Sequence, residues 1–296
     1  MGESGTDDNA ARCGARRREP GMIGETPPRL TLMPAKKRTR SYDPVKTRAA
    51  VLAQFEQVRQ AVRTLDAEQL ASPTRLGDWT VRDLAAHVTM ALETVSRSLE
   101  RDEPAKAELT LLEWPFATAD RAADIADGTR RLAEANPDLD ALYARTGQRL
   151  TEALAGAPGT RLLAARTGAM PLDDYLVTRT VELVVHTDDL NAAVPGLEIP
   201  YDRQALAACT RLLADALAAK APGGSTEVRI PPYAVVQCVE GPRHTRGTPP
   251  NVVETDPLTW IRLATGRLAW AEALEEAKVS ASGERADLGG LLPILS

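Results

Sequence analysis

The sequence predicts a multidomain protein, an all-α helical bundle followed by an α+β domain. Over residues 43–195, apolar residues recur at helical spacing in long segments joined by short links. The stretch VPGLEIPYD then interrupts this pattern with two prolines and a glycine. After about residue 220 the period becomes that of β-strands. We therefore expect a bundle over 43–195 and an α+β domain over 199–296.

The segment before the bundle has a different composition. Residues 1–42 are rich in glycine, proline and charge and carry no apolar period, which predicts a disordered leader. The leader includes the basic run KKRTR, which is found both in tails that bind nucleic acid or anionic surfaces and in solvated segments. We favour the solvated interpretation.

Composition limits the class of protein. The net charge of −5 argues against a nucleic-acid partner, because no basic field covers the chain. No apolar run approaches the roughly 20 residues that cross a bilayer, and no signal peptide is evident, so we expect a cytoplasmic protein without a membrane partner. The three cysteines are too widely spaced for a disulfide framework or a metal cluster.

Capping signals place the helices of the bundle. Asp43 is a good N-cap and Pro44 suits the first helical position. Thr80 and Asp83 have the spacing of a capping box at the start of a second long helix. Further helices are expected near 116–135, 138–156 and 171–192.

The second domain mixes both periods. RQALAACTRLLADALAAK predicts a helix that ends at APGG, and STEVRI, YAVVQCVE and NVVET predict strands. Asp256 and Pro257 then begin a helix that Gly266 ends. LAWAEALEEAKVSASG predicts a short helix followed by a strand.

A polar stripe runs along the helix predicted near 171–192. Its members are spaced by four, three, four and three residues, so they share one face of the helix. Leucines flank the stripe on one side and valines on the other, so these polar groups point into the bundle and need partners there. The stripe consists of Tyr175, Arg179, Glu182, His186 and Asp189.

One explanation of the stripe is a metal site. Glu182 and His186, four residues apart, can both reach one metal ion, and their imidazole nitrogen and carboxylate oxygen suit zinc or another divalent transition metal. The third ligand must come from elsewhere, and His87 in a bundle helix is a better candidate than His244 in a loop of the second domain. Two histidines and one glutamate would leave a position open, as in catalytic zinc sites.

The other explanation is a buried polar network without metal. In that case Arg179 pairs with Glu182, and His186 pairs with Asp189. The spacing of the residues allows both arrangements.

Two segments of the bundle resemble the mycothiol-dependent maleylpyruvate isomerase family, which belongs to the DinB-like metal-binding four-helix bundles. The segments are TRLGDWTVRDLAAHV and RTVELVVHTDDL, and the resemblance covers about residues 43–195. It implies that His87, Glu182 and His186 bind a divalent metal, usually zinc in that family. The matching residues are Trp79, Val81, Asp83, Leu84, His87, Arg179, Glu182, His186, Asp189 and Leu190.

The second domain resembles the sterol-carrier-like modules that are often fused to such bundles. The likeness rests on ETDPLTWIRLATGRLAWAEALEEAKVSASGE, which has an acidic residue, a Trp-bearing helix, TGR and a strand. It implies an apolar groove between sheet and helices and an apolar ligand in it. The same pattern is also typical of an ordinary α+β core.

The resemblance implies a thiol-dependent isomerase or S-transferase that uses mycothiol on a small substrate. The predicted bundle contains no cysteine, so a reactive thiolate there must come from a cofactor. Arginine makes up 30 of the 36 basic residues, which fits an actinobacterial host. A carboxylate substrate needs a cationic clamp. The candidates are Arg82, Arg179, Arg243 and Arg246.

Two other functions compete with the thiol-dependent enzyme. The first is a non-catalytic carrier whose second domain binds a lipid or another apolar ligand, with a structural or vestigial metal in the bundle. The second is a metal-dependent hydrolase that uses zinc-bound water. We favour the thiol-dependent enzyme because the expected metal site has an open position.

Overall fold

A computed structural model describes residue 1 and residues 40–117, 122–242 and 249–295, with the backbone alone for 122–124. Most of the predicted leader, residues 2–39, lies outside the described residues, so its disorder stays a prediction. Ser41–Ser296 forms one compact unit. A division of that unit at 195–199 also stays a prediction.

The helical part is built from four long helices and two shorter ones among the described residues. They are α1 (Pro44–Val62), α2 (Ala67–Ala71), α3 (Val81–Leu99), α4 (Ala122–Ala135), α5 (Leu139–Leu154) and α6 (Leu172–Ala193). Of the predicted helix near 116–135, residues 122–135 are helical and residues 118–121 lie outside the described residues, while Trp114–Phe116 forms one turn of 3-10 helix.

The capped starts predicted for α1 and α3 are confirmed. The Asp43 side chain accepts from the backbone N–H groups of Val45 and Lys46, and so begins α1. At α3, Thr80 and Asp83 form both halves of a capping box, since each side chain accepts from the backbone of the other residue. This cap fixes the start of the helix that carries His87.

A β-hairpin between α5 and α6 was missed by the sequence analysis. Strands β1 (Leu162–Ala165) and β2 (Gly168–Pro171) pair antiparallel, with Leu163 opposite Met170. Gly168 has φ +134°, a conformation that side chains with a Cβ rarely adopt. The hairpin leads directly into α6.

The C-terminal part is α+β, which confirms the predicted fold class. Its elements are α7 (Arg203–Lys220), β3 (Thr226–Ile230), β4 (Ala234–Cys238), β5 (Val252–Thr255), α8 (Pro257–Ala264), α9 (Trp270–Glu275) and β6 (Val279–Ser282). The sheet has the order β4-β3-β5-β6, in which β3 and β5 are parallel and the other pairs antiparallel. Gly266, at φ +70°, follows α8 as predicted.

Helix α6 contacts both the bundle and the C-terminal part. It packs against α1, α3 and α7, and α7 also packs against β4 and α8. Helix α7 therefore joins the bundle to the sheet. None of the described helices combines the length and apolar character needed to span a bilayer.

Candidate metal centre

Three side chains from two helices meet in the bundle. His87 of α3 and Glu182 and His186 of α6 each offer one ligand atom, and these atoms all lie within 4.8 Å of one another. Nε2 of His186 lies 3.5 Å from Oε2 of Glu182, and the two imidazole rings meet edge-on with centroids 4.9 Å apart. The structure thus brings together the three residues that the sequence singled out.

The orientation of His87 is set by a hydroxyl on α4. Nδ1 of His87 lies 3.2 Å from Oγ1 of Thr129, and the Thr129 hydroxyl donates to Sδ of Met90 at 3.7 Å. Because the Thr129 hydroxyl proton points to the Met90 sulfur, the hydroxyl oxygen accepts from Nδ1–H of His87. Nε2 of His87 therefore carries a lone pair. The Trp79 ring, 4.8 Å from the imidazole, packs against it.

The orientation of His186 is set by a carboxylate on its own helix. Nδ1 of His186 lies 2.9 Å from Oδ2 of Asp189, whose side chain is fully buried. Nδ1–H therefore donates to Asp189, and Nε2 faces Glu182. Both histidines thus have Nδ1 engaged, which leaves Nε2 as the nitrogen through which each could bind a metal.

Charge and burial shift the pKa values of the three groups in different directions. Burial and the charge of His186 lower the pKa of His87 to about 3, so this ring is neutral at physiological pH. Burial works to raise the pKa of Glu182, but His186 and Arg179 outweigh it and lower that pKa to about 2. Burial works to lower the pKa of His186, but Asp189 and Glu182 outweigh it and raise that pKa.

The donor set fits a divalent transition metal. Zinc binds imidazole nitrogen and carboxylate oxygen at about 2.0–2.1 Å, so tetrahedral ligand atoms lie roughly 3.3 Å apart. The 3.5 Å between His186 and Glu182 matches this separation, and His87 lies within reach of both. Three protein ligands leave a fourth position open. The Glu182 side chain is 27% exposed, so solvent reaches the cluster at this residue.

Arg179 lies beside the cluster, one turn before Glu182. Its guanidinium carbon lies 4.4 Å from the ring centroid of Tyr175 and 5.8 Å from that of Trp114. Its hydrogen bonds to described residues all go to one hydroxyl, Oγ1 of Thr178, and Glu182 Oε1 lies 3.8 Å from Nη2. Most of its five N–H donors thus have no described protein acceptor.

The other arginines proposed for substrate binding have different surroundings. Arg82 donates to the backbone carbonyls of Ala133 and Asn136 at the end of α4. It is five residues from His87, roughly 140° around the same helix. Arg243, His244 and Arg246 lie outside the described residues.

Both contacts of the metal-free network are also present. Arg179 lies 3.8 Å from Glu182, and His186 donates to Asp189. Neither contact involves His87, and the contact with Asp189 uses only Nδ1 of His186. The network and a metal at the cluster are therefore compatible, and the network alone does not account for the convergence of His87.

Sequence reasoning missed the groups that surround Asp189. Arg75, from the loop before α3, and Arg267, from the turn after α8, both bond to this carboxylate. Thr129, which orients His87, was also missed. In each case the partner is distant in the sequence, and an arginine in so arginine-rich a chain gives no local signal.

The fold and site define a helical bundle with a central two-histidine, one-glutamate cluster, joined to an α+β domain. Residues 51–191 match the family of the mycothiol maleylpyruvate isomerase N-terminal domain, and residues 202–294 match the bacterial SCP ortholog family. Both matches confirm the resemblances that the sequence analysis predicted for the two parts of the chain.

Two solved structures are similar to the chain. They are the mycothiol-dependent maleylpyruvate isomerase, at 16% identity, and a histidine-to-alanine mutant of it, at 15%. Each match covers 83% of this chain and 95% of the other, with a TM-score of 0.53. At this identity the likeness shows a shared fold. No curated protein sequence matches the chain.

Proposed function

We propose that this protein is a metal-dependent enzyme that uses a low-molecular-weight thiol, mycothiol, to isomerise or S-conjugate a small unsaturated acid. The observation that carries the proposal is the convergence of His87, Glu182 and His186, whose ligand atoms lie within 4.8 Å. The family of the N-terminal domain supports mycothiol as the thiol. Zinc is the metal that this donor set suits best.

The thiol must come from outside the protein. A divalent metal at the cluster would lower the pKa of a bound thiol, so that the thiolate is available at neutral pH. The chain has no cysteine within residues 43–195. Cys209 on α7 is buried, and burial raises the pKa of its thiol. An external thiol is therefore the best source of a nucleophile.

The reaction needs an electron-poor double bond. The thiolate adds to one carbon of a C=C bond conjugated to a carbonyl, and the π electrons move onto the carbonyl oxygen as an enolate. The former double bond can then rotate. Return of the electrons breaks the C–S bond and gives the isomer and the thiolate. If the enolate carbon instead takes up a proton, the C–S bond remains and the product is a thioether.

Arg179 is the group we assign to the acid of the substrate. Its guanidinium lies near the rings of Tyr175 and Trp114, and its N–H donors are mostly free of described protein acceptors. Charge-assisted bonds from such a fork orient a carboxylate and offset developing enolate charge. The Arg179 side chain is only 8% exposed, and the low local dielectric strengthens such bonds.

The test uses the full chain with cobalt(II) in place of the native metal. Addition of mycothiol is expected to give a thiolate-to-cobalt charge-transfer band, and His186→Ala is expected to lose both cobalt and band. Elemental analysis of the protein as purified should find about one divalent ion per chain. A protein that binds no divalent ion, or whose cobalt spectrum does not respond to mycothiol, would contradict the proposal.

A carrier function is the second candidate, because residues 202–294 match the bacterial SCP ortholog family. It predicts an apolar molecule that co-purifies with the protein and is found by mass spectrometry of an organic extract. In that case mycothiol would leave the cobalt spectrum unchanged. The two candidates therefore differ in both measurements.

A further inference from the structure

Two arginines of the C-terminal α+β part reach the helix that carries Glu182 and His186. Arg262 of α8 bonds to both carboxylate oxygens of Asp188, with a shortest distance of 2.6 Å. Arg267, just after α8, bonds to Asp189 with Nη2 at 3.0 Å and Nε at 3.2 Å. Both pairs therefore consist of an arginine from the α+β part and an aspartate of α6, and the two aspartates are adjacent in the sequence.

The two aspartates differ in what lies on their other side. Oδ2 of Asp189 accepts from Nδ1 of His186 at 2.9 Å, and Oδ1 accepts from Nε of Arg75 at 2.6 Å. Asp188 bonds to Arg75 and to the Tyr201 hydroxyl, and it makes no described contact with His186. Asp189 thus lies between Arg267 and a candidate metal ligand, whereas Asp188 does not.

Asp189 is held in one orientation. Its side chain is fully buried, and both its oxygens accept two hydrogen bonds. A buried carboxylate is costly unless its charge and lone pairs are matched, and here two guanidinium groups match them. The carboxylate therefore presents Oδ2 to His186 at a fixed place, and Arg267 is one of the groups that fixes it.

We propose that Asp189 is a positioning residue for metal binding by His186, and that Arg267 makes the α+β part a support of the metal site. The inference rests on the proposed metal site. A histidine ligand commonly donates its second N–H to a carboxylate, which fixes its tautomer and ring orientation. Loss of such a partner typically weakens metal binding by about 10–100-fold.

Arg262→Met is the matched control for Arg267→Met. Each substitution removes one guanidinium from the same boundary, but only Arg267 bonds to the carboxylate that holds His186. Asp188→Asn and Asp189→Asn form a second matched pair. Arg75 remains bonded to Asp189 in Arg267→Met, so this variant keeps one of the two charges that balance the carboxylate.

The experiment measures zinc affinity of the full chain by competition with a chromophoric chelator, and the cobalt(II) absorption spectrum of each variant. We expect Arg267→Met and Asp189→Asn to weaken zinc binding about 10–100-fold. Arg262→Met and Asp188→Asn should stay within about threefold of wild type, well below that range. The cobalt spectrum should change in the first pair only, and Arg267→Lys should recover part of the affinity.

Three results would overturn the inference, and they differ from one another. Wild-type affinity in Arg267→Met would show that Arg267 does not support the site. Equal losses in Arg262→Met and Arg267→Met would show a general effect of the boundary on folding. A wild-type protein that binds no metal would overturn the proposed function together with this inference.

Discussion

His87 and His186 meet edge to face with ring centroids 4.9 Å apart, although they lie on different helices. Each ring has Nδ1 engaged by a separate partner, Thr129 for one and Asp189 for the other. With Nδ1 engaged in each ring, Nε2 is the nitrogen that each histidine can offer to a metal, and Glu182 lies close to both rings.

The first prediction concerns the ligands themselves. His87→Ala, Glu182→Gln and His186→Ala should each lose most of the bound metal, because two remaining ligands hold it weakly. Removal of the metal by a chelator should lower the melting temperature of wild type, since the unfolded chain lacks the site. The triple variant should hardly respond. Elemental analysis and thermal melts measure both effects.

His244→Ala is the control for these variants, since the sequence places it in the second domain. Its metal content should equal that of wild type. Full metal occupancy in His87→Ala would reject the three-residue site, even if the two residues of α6 proved to be ligands.

The local features of the fold and site were predictable because their signals lie close together in the sequence. Thr80 and Asp83 are three residues apart, and the capping box they form sets the start of α3. Glu182 and His186 are four residues apart on α6, so their shared face follows from helix geometry. His87 could be chosen because the chain has only three histidines.

The long-range features could not be predicted from the sequence. Arg75, Arg262 and Arg267 bond to adjacent carboxylates on α6, but nothing local distinguishes them among 30 arginines. The β1–β2 hairpin was missed because its four-residue strands are short and contain residues common in helices. Tertiary packing, and not the local sequence, determines these features.

The second prediction is a pH dependence of the metal-free protein. The pKa of His87 falls from 6.5 to about 3 on folding. Between these values the unfolded chain binds a proton that folded His87 does not, so the free energy of unfolding falls as the pH drops below 6.5. The slope is at most about 1.4 kcal/mol per pH unit.

Chemical denaturation from pH 7 to pH 5 tests this sign against His87→Gln, which cannot take up the proton. Wild type should lose about 1–2 kcal/mol relative to the variant over this range. The other titrating groups are common to both proteins and largely cancel. Parallel curves would show that folded His87 titrates near its ordinary pKa.

The third prediction separates orientation of His87 from its packing. Thr129→Val keeps the shape of the side chain but removes the oxygen that accepts from His87 Nδ1. Zinc affinity should fall about tenfold, as for loss of a partner of a metal-binding histidine. Thr89→Val is the control, because Thr89 is equally buried on α3 but bonds only to the Ala86 carbonyl.

Each valine variant should lose about 1 kcal/mol of stability, because Thr129 loses its bond to His87 and a weak one to the Met90 sulfur, and Thr89 loses its bond to the Ala86 carbonyl. Thermal melts and chelator competition should therefore rank the two variants differently. The melting temperatures should be similar, and zinc affinity should fall only in Thr129→Val. A tenfold loss in Thr89→Val would mean that any disturbance of the packing of α3 weakens the site.

The last prediction concerns Arg179 and the acid of the substrate. Arg179→Met should lower kcat/KM for an unsaturated acid with mycothiol about 10- to 100-fold, because a charge-assisted hydrogen bond is worth about 1.5–3 kcal/mol. Zinc content should stay at the wild-type value, since Arg179 is not a ligand. Arg82→Met is the control, because Arg82 already donates to two backbone carbonyls at the end of α4.

The primary amide of the same acid distinguishes loss of carboxylate recognition from loss of structure in Arg179→Met. Wild type should prefer the acid to the amide, and Arg179→Met should lose that preference, whereas a variant that is merely misfolded slows both substrates alike. An unchanged preference in Arg179→Met would remove Arg179 from the substrate site and leave the described metal cluster without its proposed carboxylate clamp.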